Sequence, residues 1–475
     1  MQPVDKPVGA VGPGAGSVHV PGPAERRDLA LREAVRAGLL GAGNPAAGFL
    51  DIDALLAGVA DLHAAFAGPA PVLHTFAVKA ASLVPVLRVL AQAGMGCEVA
   101  SPGELAQALA AGVEPQRIVL DSPAKTWEEL EVALDAGVAV NADNLQEVER
   151  LAALLQRRGR RAAGVLGLRV NPQVGAGSIG AMSTASAHSK FGVPLRDPGA
   201  RERVMAAFAA HPWLTRVHVH VGSQGCPLDL MAEGVEAAYR LAEDINRAAG
   251  RPQVTSIDIG GGLPVNFADD EVHPSFADYA GLLRTRVPGL FDGRYSLVTE
   301  FGRSVVAKHG FIAAVVEYTK ESGGRRIAIT HAGAHLATRT VFMPESWPLR
   351  VLARDAHGLP KPGPLMVQDV AGPCCFAGDL VAQARPLPEL EAGDLVVLCD
   401  TGGYYVSTPW SYNSLLRPGI HGYTVGENGV RFATVRPPQS LAELLAESGA
   451  SCADALLDLA APAGCPVGAG GAPAG

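Results

Sequence analysis

The chain has 475 residues, enough for two domains with their own cores, and 48% of it is hydrophobic. A net charge of −8 without any run of lysine or arginine argues against a nucleic-acid or anionic-membrane binder, and no apolar stretch reaches membrane length. Seven cysteines without metal-ligand spacing, and a start lacking the basic-then-apolar order of a secretory signal, predict reduced thiols in a cytoplasmic protein.

Residues 1–25 are rich in Gly, Pro and Val without periodicity and are expected to be flexible. Residues 26–50 are assigned to a segment joining a later β domain, an assignment the sequence leaves open. Residues 51–305 repeat one pattern: a short apolar run, a polar turn, then apolar residues at helical spacing. The runs are 72–78, 96–100, 117–120, 138–141, 164–170, 215–221, 254–259 and 296–299. Ser101-Pro-Gly-Glu104 reads as a capped helix start, and Thr126-Trp-Glu-Glu129 and Asp143-Asn-Leu-Gln146 repeat the form. Strands alternating with helices imply parallel pairing, and eight of them predict a closed (β/α)8 barrel. In residues 306–440 short β-type runs at 326–330, 349–352, 395–398 and 431–435 lie between Pro and Gly turns, which predicts an antiparallel β domain. Residues 441–475 are assigned to a low-complexity tail.

Chemistry in such a barrel gathers at the C-terminal ends of the strands. The first run ends at Lys79. A lysine there ordinarily snorkels to water, but burial lowers its pKa and a neutral amine can form a Schiff base. Glu98 and Ser101 close the second run, and Arg169 closes the fifth. The sixth gives His218-Val-His-Val-Gly-Ser-Gln224, whose alternation puts His218 and His220 on one face. No carboxylate or cysteine follows them at ligand spacing, so no metal is expected. The seventh ends in Gly260-Gly261-Gly262, where backbone N–H groups can approach an anion, although a glycine triplet by itself is more often a plain turn. Asp258 reads as support for that turn. The eighth gives Glu300-Phe-Gly-Arg303: a carboxylate suited to a protonated ring nitrogen and a guanidinium suited to phosphate, with a structural ion pair as the bland alternative. Beyond the barrel, Gly372-Pro-Cys-Cys-Phe-Ala-Gly-Asp379 offers a thiol able to donate a proton, where an inert buried cysteine is the commoner case.

Taken in order, Phe76-Ala-Val-Lys-Ala80, Glu98-Val-Ala-Ser-Pro-Gly-Glu104, Ser189-Lys-Phe-Gly192, the His-Val-Gly-Ser-Gln strand, the triple glycine, Glu-Phe-Gly-Arg, Gly-Pro-Cys-Cys and Gly-Gly-Tyr resemble the fold-type III pyridoxal 5'-phosphate (PLP) decarboxylases. Within that group of diaminopimelate, ornithine and arginine decarboxylases, the chain is most similar to the diaminopimelate branch. The resemblance implies a barrel plus a β domain, a PLP cofactor, a small amino acid as substrate, and a homodimer with shared active sites. It implies that Lys79 holds the cofactor and His220 stacks on its ring. Ser223, Gly260, Gly261, Gly262 and Tyr404 would hold the phosphate, with Arg303 near the phosphate or a substrate carboxylate. Glu300 would pair with the ring nitrogen, Cys375 would return a proton across the dimer interface, and Arg339 would bind a substrate carboxylate. The competing readings are a racemase, epimerase or carbon–carbon bond-forming enzyme on the same fold, and a non-catalytic homologue.

Five positions depart from the family, among them Ala377, which stands where serine is frequent. Phe301 replaces a common proline and Ala81 an asparagine. Met343 replaces a tyrosine, and Phe376 stands where an acidic residue binds the distal amino group of the substrate. A buried ammonium without a charge partner is costly. The expected substrate is therefore a less polar or modified amino acid of specialised metabolism, not diaminopimelate itself.

Overall fold

The computed structural model describes residues 21–159, 162–405 and 407–460. Residues 1–20 and 461–475, within the two ends expected to be flexible or of low complexity, lie outside the described residues.

Helix α1 (Pro23–Arg36) and strand β1 (Ala46–Asp51) precede the barrel. The barrel strands are β2 (Val72–Ala77), β3 (Gly96–Val99), β4 (Ile118–Asp121), β5 (Ala139–Ala142), β6 (Leu166–Asn171), β8 (Leu214–His218), β9 (Ser256–Asp258) and β10 (Ser296–Thr299). A two-residue strand, β7 (Val193–Pro194), hangs on β6. Every neighbouring pair is parallel, and β10 pairs back onto β2, so these eight strands close into the predicted ring. The strands read as continuous apolar runs because one face meets the barrel interior and the other meets helices. Those helices are α2 (Ile52–Phe66), α3 (Val84–Gln92), α4 (Pro102–Ala110), α5 (Trp127–Ala136), α6 (Leu145–Arg158), α7 (Ala200–Ala210), α8 (Leu228–Ala249) and α9 (Phe276–Arg286). On α6, Val148, Leu151 and Leu154 recur at three-residue spacing and are all buried. Each such side chain contributes about 1.5–3 kcal/mol through removal from water.

The caps form where the sequence has a hydroxyl three residues before a glutamate. Ser101 Oγ accepts the Glu104 amide and Thr126 the Glu129 amide. The third cap sits one residue later than expected. Asn144, not Asp143, accepts the Glu147 amide, because Asp143 is turned inward to the Gly192 amide.

After the short helix α10 (Arg303–Val306), the remaining strands are β11 (Gly310–Ser322), β12 (Arg325–Thr330), β13 (Val351–Arg354), β14 (Leu365–Ala371), β15 (Leu380–Pro388), β16 (Leu395–Leu398), β17 (Gly419–Gly426) and β18 (Gly429–Arg436). The sheet is mixed rather than purely antiparallel. Pairs β11–β12, β14–β15 and β17–β18 are antiparallel, since short connections permit nothing else. Two pairs run parallel, β12–β14 and β1–β17. The first is joined by a long excursion through helix α11 (Ala334–Phe342) and β13, and β1 arrives from before the barrel, so no tight turn dictates either direction. Strand β1 also pairs with β11, and Phe49 stacks on Phe311 at 5.0 Å. In the segment assigned to a low-complexity tail, helix α12 (Leu441–Glu447) forms, because Ser440 and Glu443 make a reciprocal capping box. No described helix is long and apolar enough to cross a membrane.

Candidate active site

The strand ends of the barrel and one edge of the β domain enclose a cavity of about 240 Å3. Lys79, His220, Ser223, Gly262, Glu300, Arg303, Arg339 and Tyr404 all line it, with Thr184 and Phe191 from the segment after β6. Gly260 and Gly261 do not. They seat the turn behind it: a Cβ on Gly261 would lie 2.1 Å from the Glu300 carbonyl oxygen, and the Gly260 amide donates to Asp258 Oδ1 at 3.1 Å. Gly262 has a φ of 93° and is pressed against the Gly222 carbonyl, so it too requires glycine. Cys375 and Phe376 lie outside the cavity of their own chain. Cys375 is exposed, and its amide donates to Asn413 Oδ1 at 2.8 Å.

Lys79 follows β2 and forms an ion pair with Glu98 of β3, a consequence of register: Ala77 lies opposite Glu98. Sequence reasoning expected burial to depress the Lys79 pKa. The structure has the opposite balance. Burial does oppose the charge, but Glu98, Tyr404 and Glu300 outweigh it and hold the amine above its ordinary value. Burial pushes Glu98 up to about 8, against the pull of Lys79. Glu98 is thus the charge partner of the Lys79 amine, a pairing that the residue types at the strand ends do not disclose. Glu98→Gln is expected to move the pH dependence of PLP attachment downward by about 1–3 pH units, the usual effect of one close opposite charge. Borohydride-fixed absorbance measured across pH checks this, and an unchanged profile would show that Glu98 does not hold the amine.

Glu300 is 2% exposed, and its Oε2 is 3.4 Å from both His218 Nε2 and His220 Nδ1. Burial opposes its charge, yet the two imidazoles hold its pKa well below the carboxylate range. Burial lowers the pKa of His220, which favours a neutral flat ring at the cavity wall. Arg303 and Arg339 each approach the same two rings. Arg303 is 4.7 Å from the Trp347 centroid and 4.4 Å from that of Tyr404; Arg339 is 4.9 and 4.8 Å from the same pair. Among the described residues, neither has a carboxylate within ion-pair distance. Arg303 Nε and Nη1 and Arg339 Nη1 are buried and unpartnered, and burial with the adjacent Arg339 lowers Arg303 to about 10. Trp347, 1% exposed, had no sequence signal: a lone Trp in a Pro-containing segment predicts nothing. Tyr404 takes a φ of 66°, rare for an aromatic residue, and its amide donates to Ala80 O at 2.7 Å.

These features fit PLP. Glu300 Oε1 is buried without a partner, as a carboxylate awaiting a protonated ring nitrogen would be. The free guanidinium groups answer an anion, and Lys79 supplies an amine facing the same space. Residues 55–307 match the family described as pyridoxal-dependent decarboxylase, pyridoxal binding domain.

The chain belongs to this family.

Within it, the chain is similar to relatives named diaminopimelate decarboxylase. That of Pseudomonas aeruginosa is 34% identical over 72% of this chain and 79% of the relative, and that of Pseudomonas fluorescens is 33% identical over 79% and 86%. The crystal structure of diaminopimelate decarboxylase from Helicobacter pylori complexed with L-lysine superposes with a TM-score of 0.74 at 26% identity, covering 86% of this chain and 97% of that one. The chain is a PLP-dependent amino acid decarboxylase of the fold-type III group, on the diaminopimelate decarboxylase branch.

Proposed function

We propose that this decarboxylase acts on an α-amino acid that carries a far carboxylate but lacks the free far ammonium of meso-diaminopimelate. The observation that carries the reading is the surface around Cys375. Phe376 stacks on Phe342 at 5.6 Å and meets Trp410 and Tyr412 edge-on at 5.9 and 5.6 Å. Phe376 stands where the family places an acid for the far ammonium, and three further rings pack against it. Arg303 and Arg339 keep free donors for a carboxylate. Bound PLP supplies an electron sink for the pair left when carbon dioxide departs. Lys79 would hold the cofactor, Glu300 would hold the proton at the ring nitrogen, and His220 would face the ring. Arg339 holds the far carboxylate, and the Cys375 thiol returns one proton to Cα. The exposure of Cys375 and its absence from the lining of its own cavity support delivery by a second copy, in a homodimer with shared sites.

Carbon dioxide release should be compared for meso-diaminopimelate, its mono-N-acyl form, 2-aminopimelate, lysine and ornithine. The acylated or mono-amino dicarboxylates are expected to exceed meso-diaminopimelate in kcat/KM by about tenfold or more, the least that an unpaired buried ammonium costs. Turnover of meso-diaminopimelate as fast as the best of them would sink the proposal.

A further inference from the structure

His218 ends β8 and is wholly buried, at 0% exposure. Its ring lies between two carboxylates that approach from different strands. Nε2 is 3.4 Å from Glu300 Oε2, and Nδ1 is 3.7 Å from Asp121 Oδ1. These are ion-pair distances rather than those of aligned hydrogen bonds. Asp121 is fixed from behind by Arg169 Nη1 at 2.9 Å, and Glu300 is flanked on its other side by His220. The line of groups runs Arg169, Asp121, His218, Glu300 across the inside of the barrel. Of the other charged groups near this line, Arg216 has a buried Nη1 without a partner, and Asp143 Oδ1 lies 4.0 Å from Arg169 Nη1. Asp258 accepts from Asn141 Nδ2 at 3.0 Å and from the Gly260 amide, Arg216 Nε donates to Ser256 Oγ at 3.1 Å, and Glu98 pairs with Lys79.

A neutral ring at this position would remove, in a dry interior, the one positive group among the described residues that lies within ion-pair distance of both Asp121 and Glu300. Buried carboxylates so placed do not both ionise, and the one without its own cation takes the proton. Asp121 keeps Arg169 at 2.9 Å, whereas Glu300 has only the two imidazoles within ion-pair distance among the described residues, so the proton would fall on Glu300. A protonated Glu300 cannot hold a proton on a ring nitrogen. An imidazolium satisfies both neighbours at once. Burial opposes that charge, but Glu300, Asp121 and Asp258 together lift the His218 pKa to about 9.

We propose that His218 is a positioning residue for the cofactor: as an imidazolium between Asp121 and Glu300 it keeps Glu300 ionised, and through Glu300 it keeps the pyridine nitrogen of PLP protonated. The inference rests on the assignment of Glu300 to the ring nitrogen and is independent of which amino acid is the substrate. It gives the first histidine of His218-Val-His220 a role separate from that of the second, which lines the cavity while His218 does not.

Holoprotein reconstituted with PLP labelled with nitrogen-15 in the ring tests it, since the ring nitrogen resonance reports its protonation without turnover. At pH 7.5 the wild type should show the protonated signal. His218→Gln should move it toward the unprotonated position and lower kcat by at least about tenfold, the factor carried by one unit of pKa, with KM little changed. His218→Gln combined with Asp121→Asn removes one positive and one negative charge together. That protein should regain the protonated signal and most of the lost kcat, which a merely structural role would not predict. If the single variant does not fold, the double variant decides alone: a protonated signal supports the proposal and an unprotonated one overturns it. An unaltered signal in folded His218→Gln, or a double variant no better than the single one, also overturns it. A wild-type ring that is already unprotonated removes Glu300 from its role, and a wild-type protein that takes up no PLP sinks the cofactor assignment itself.

Discussion

Lys79→Ala protein is expected to be colourless, to resist labelling by borohydride and to lose turnover by several orders of magnitude, since the covalent path through its amine is gone. Cys375→Ala is expected to keep the yellow colour and lose about 10²–10⁴-fold in kcat, the usual contribution of a positioned general acid. The two variants together say more than either. Cys375 is exposed and absent from the lining of its own cavity, whereas Lys79 lines it. If the thiol serves a partner's cavity, refolding the two inactive variants together yields some dimers with one site that holds both groups. Activity should then return to roughly a quarter of wild type, the fraction set by random pairing of equal amounts of two chains with two shared sites. No recovery, with dimers shown by sedimentation, would place the proton donor elsewhere.

Arg339→Gln is expected to raise KM for the preferred dicarboxylic substrate by about 10–200-fold, from the roughly 1.5–3 kcal/mol of a charge-assisted hydrogen bond in a partly buried site. The effect should fall on KM with kcat nearly unchanged, because the far carboxylate is held equally before and during bond breaking. The surroundings make this sharp. The guanidinium lies 4.9 Å from the Trp347 ring centroid and 4.8 Å from that of Tyr404, and among the described residues it has no carboxylate to retreat to. A substrate analogue lacking the far carboxylate supplies the second leg of a double-mutant cycle: it should bind wild type and Arg339→Gln alike. Equal losses for both substrates would show that Arg339 supports the fold of the site rather than touching the carboxylate.

The barrel was legible residue by residue. Runs such as 72–78 and 164–170 are apolar on both faces, which only a strand buried on both sides requires, and their turns carry their own caps. Lys79, His220, Ser223, Gly262, Glu300 and Arg303 could be placed on one face because they end or follow parallel strands, and parallel strand ends share one rim. The helix at 441–447 was also written locally, in Ser440 and Glu443, but the Ala-rich composition around it hid the signal.

What local sequence could not contain was anything that depends on two distant segments meeting. The Lys79–Glu98 ion pair follows from the register of β2 on β3, and it reversed the expected direction of the Lys79 pKa. The parallel entry of β1 beside β17, and the approach of Arg303 and Arg339 to Trp347 and Tyr404, join residues tens to hundreds of positions apart. The sequence by itself determined the chemical parts and the strand ends that carry them, because apolar period and capping are local. Only the tertiary structure decided which charges are neutralised, because a buried ionisable group takes its state from neighbours that the chain order does not name.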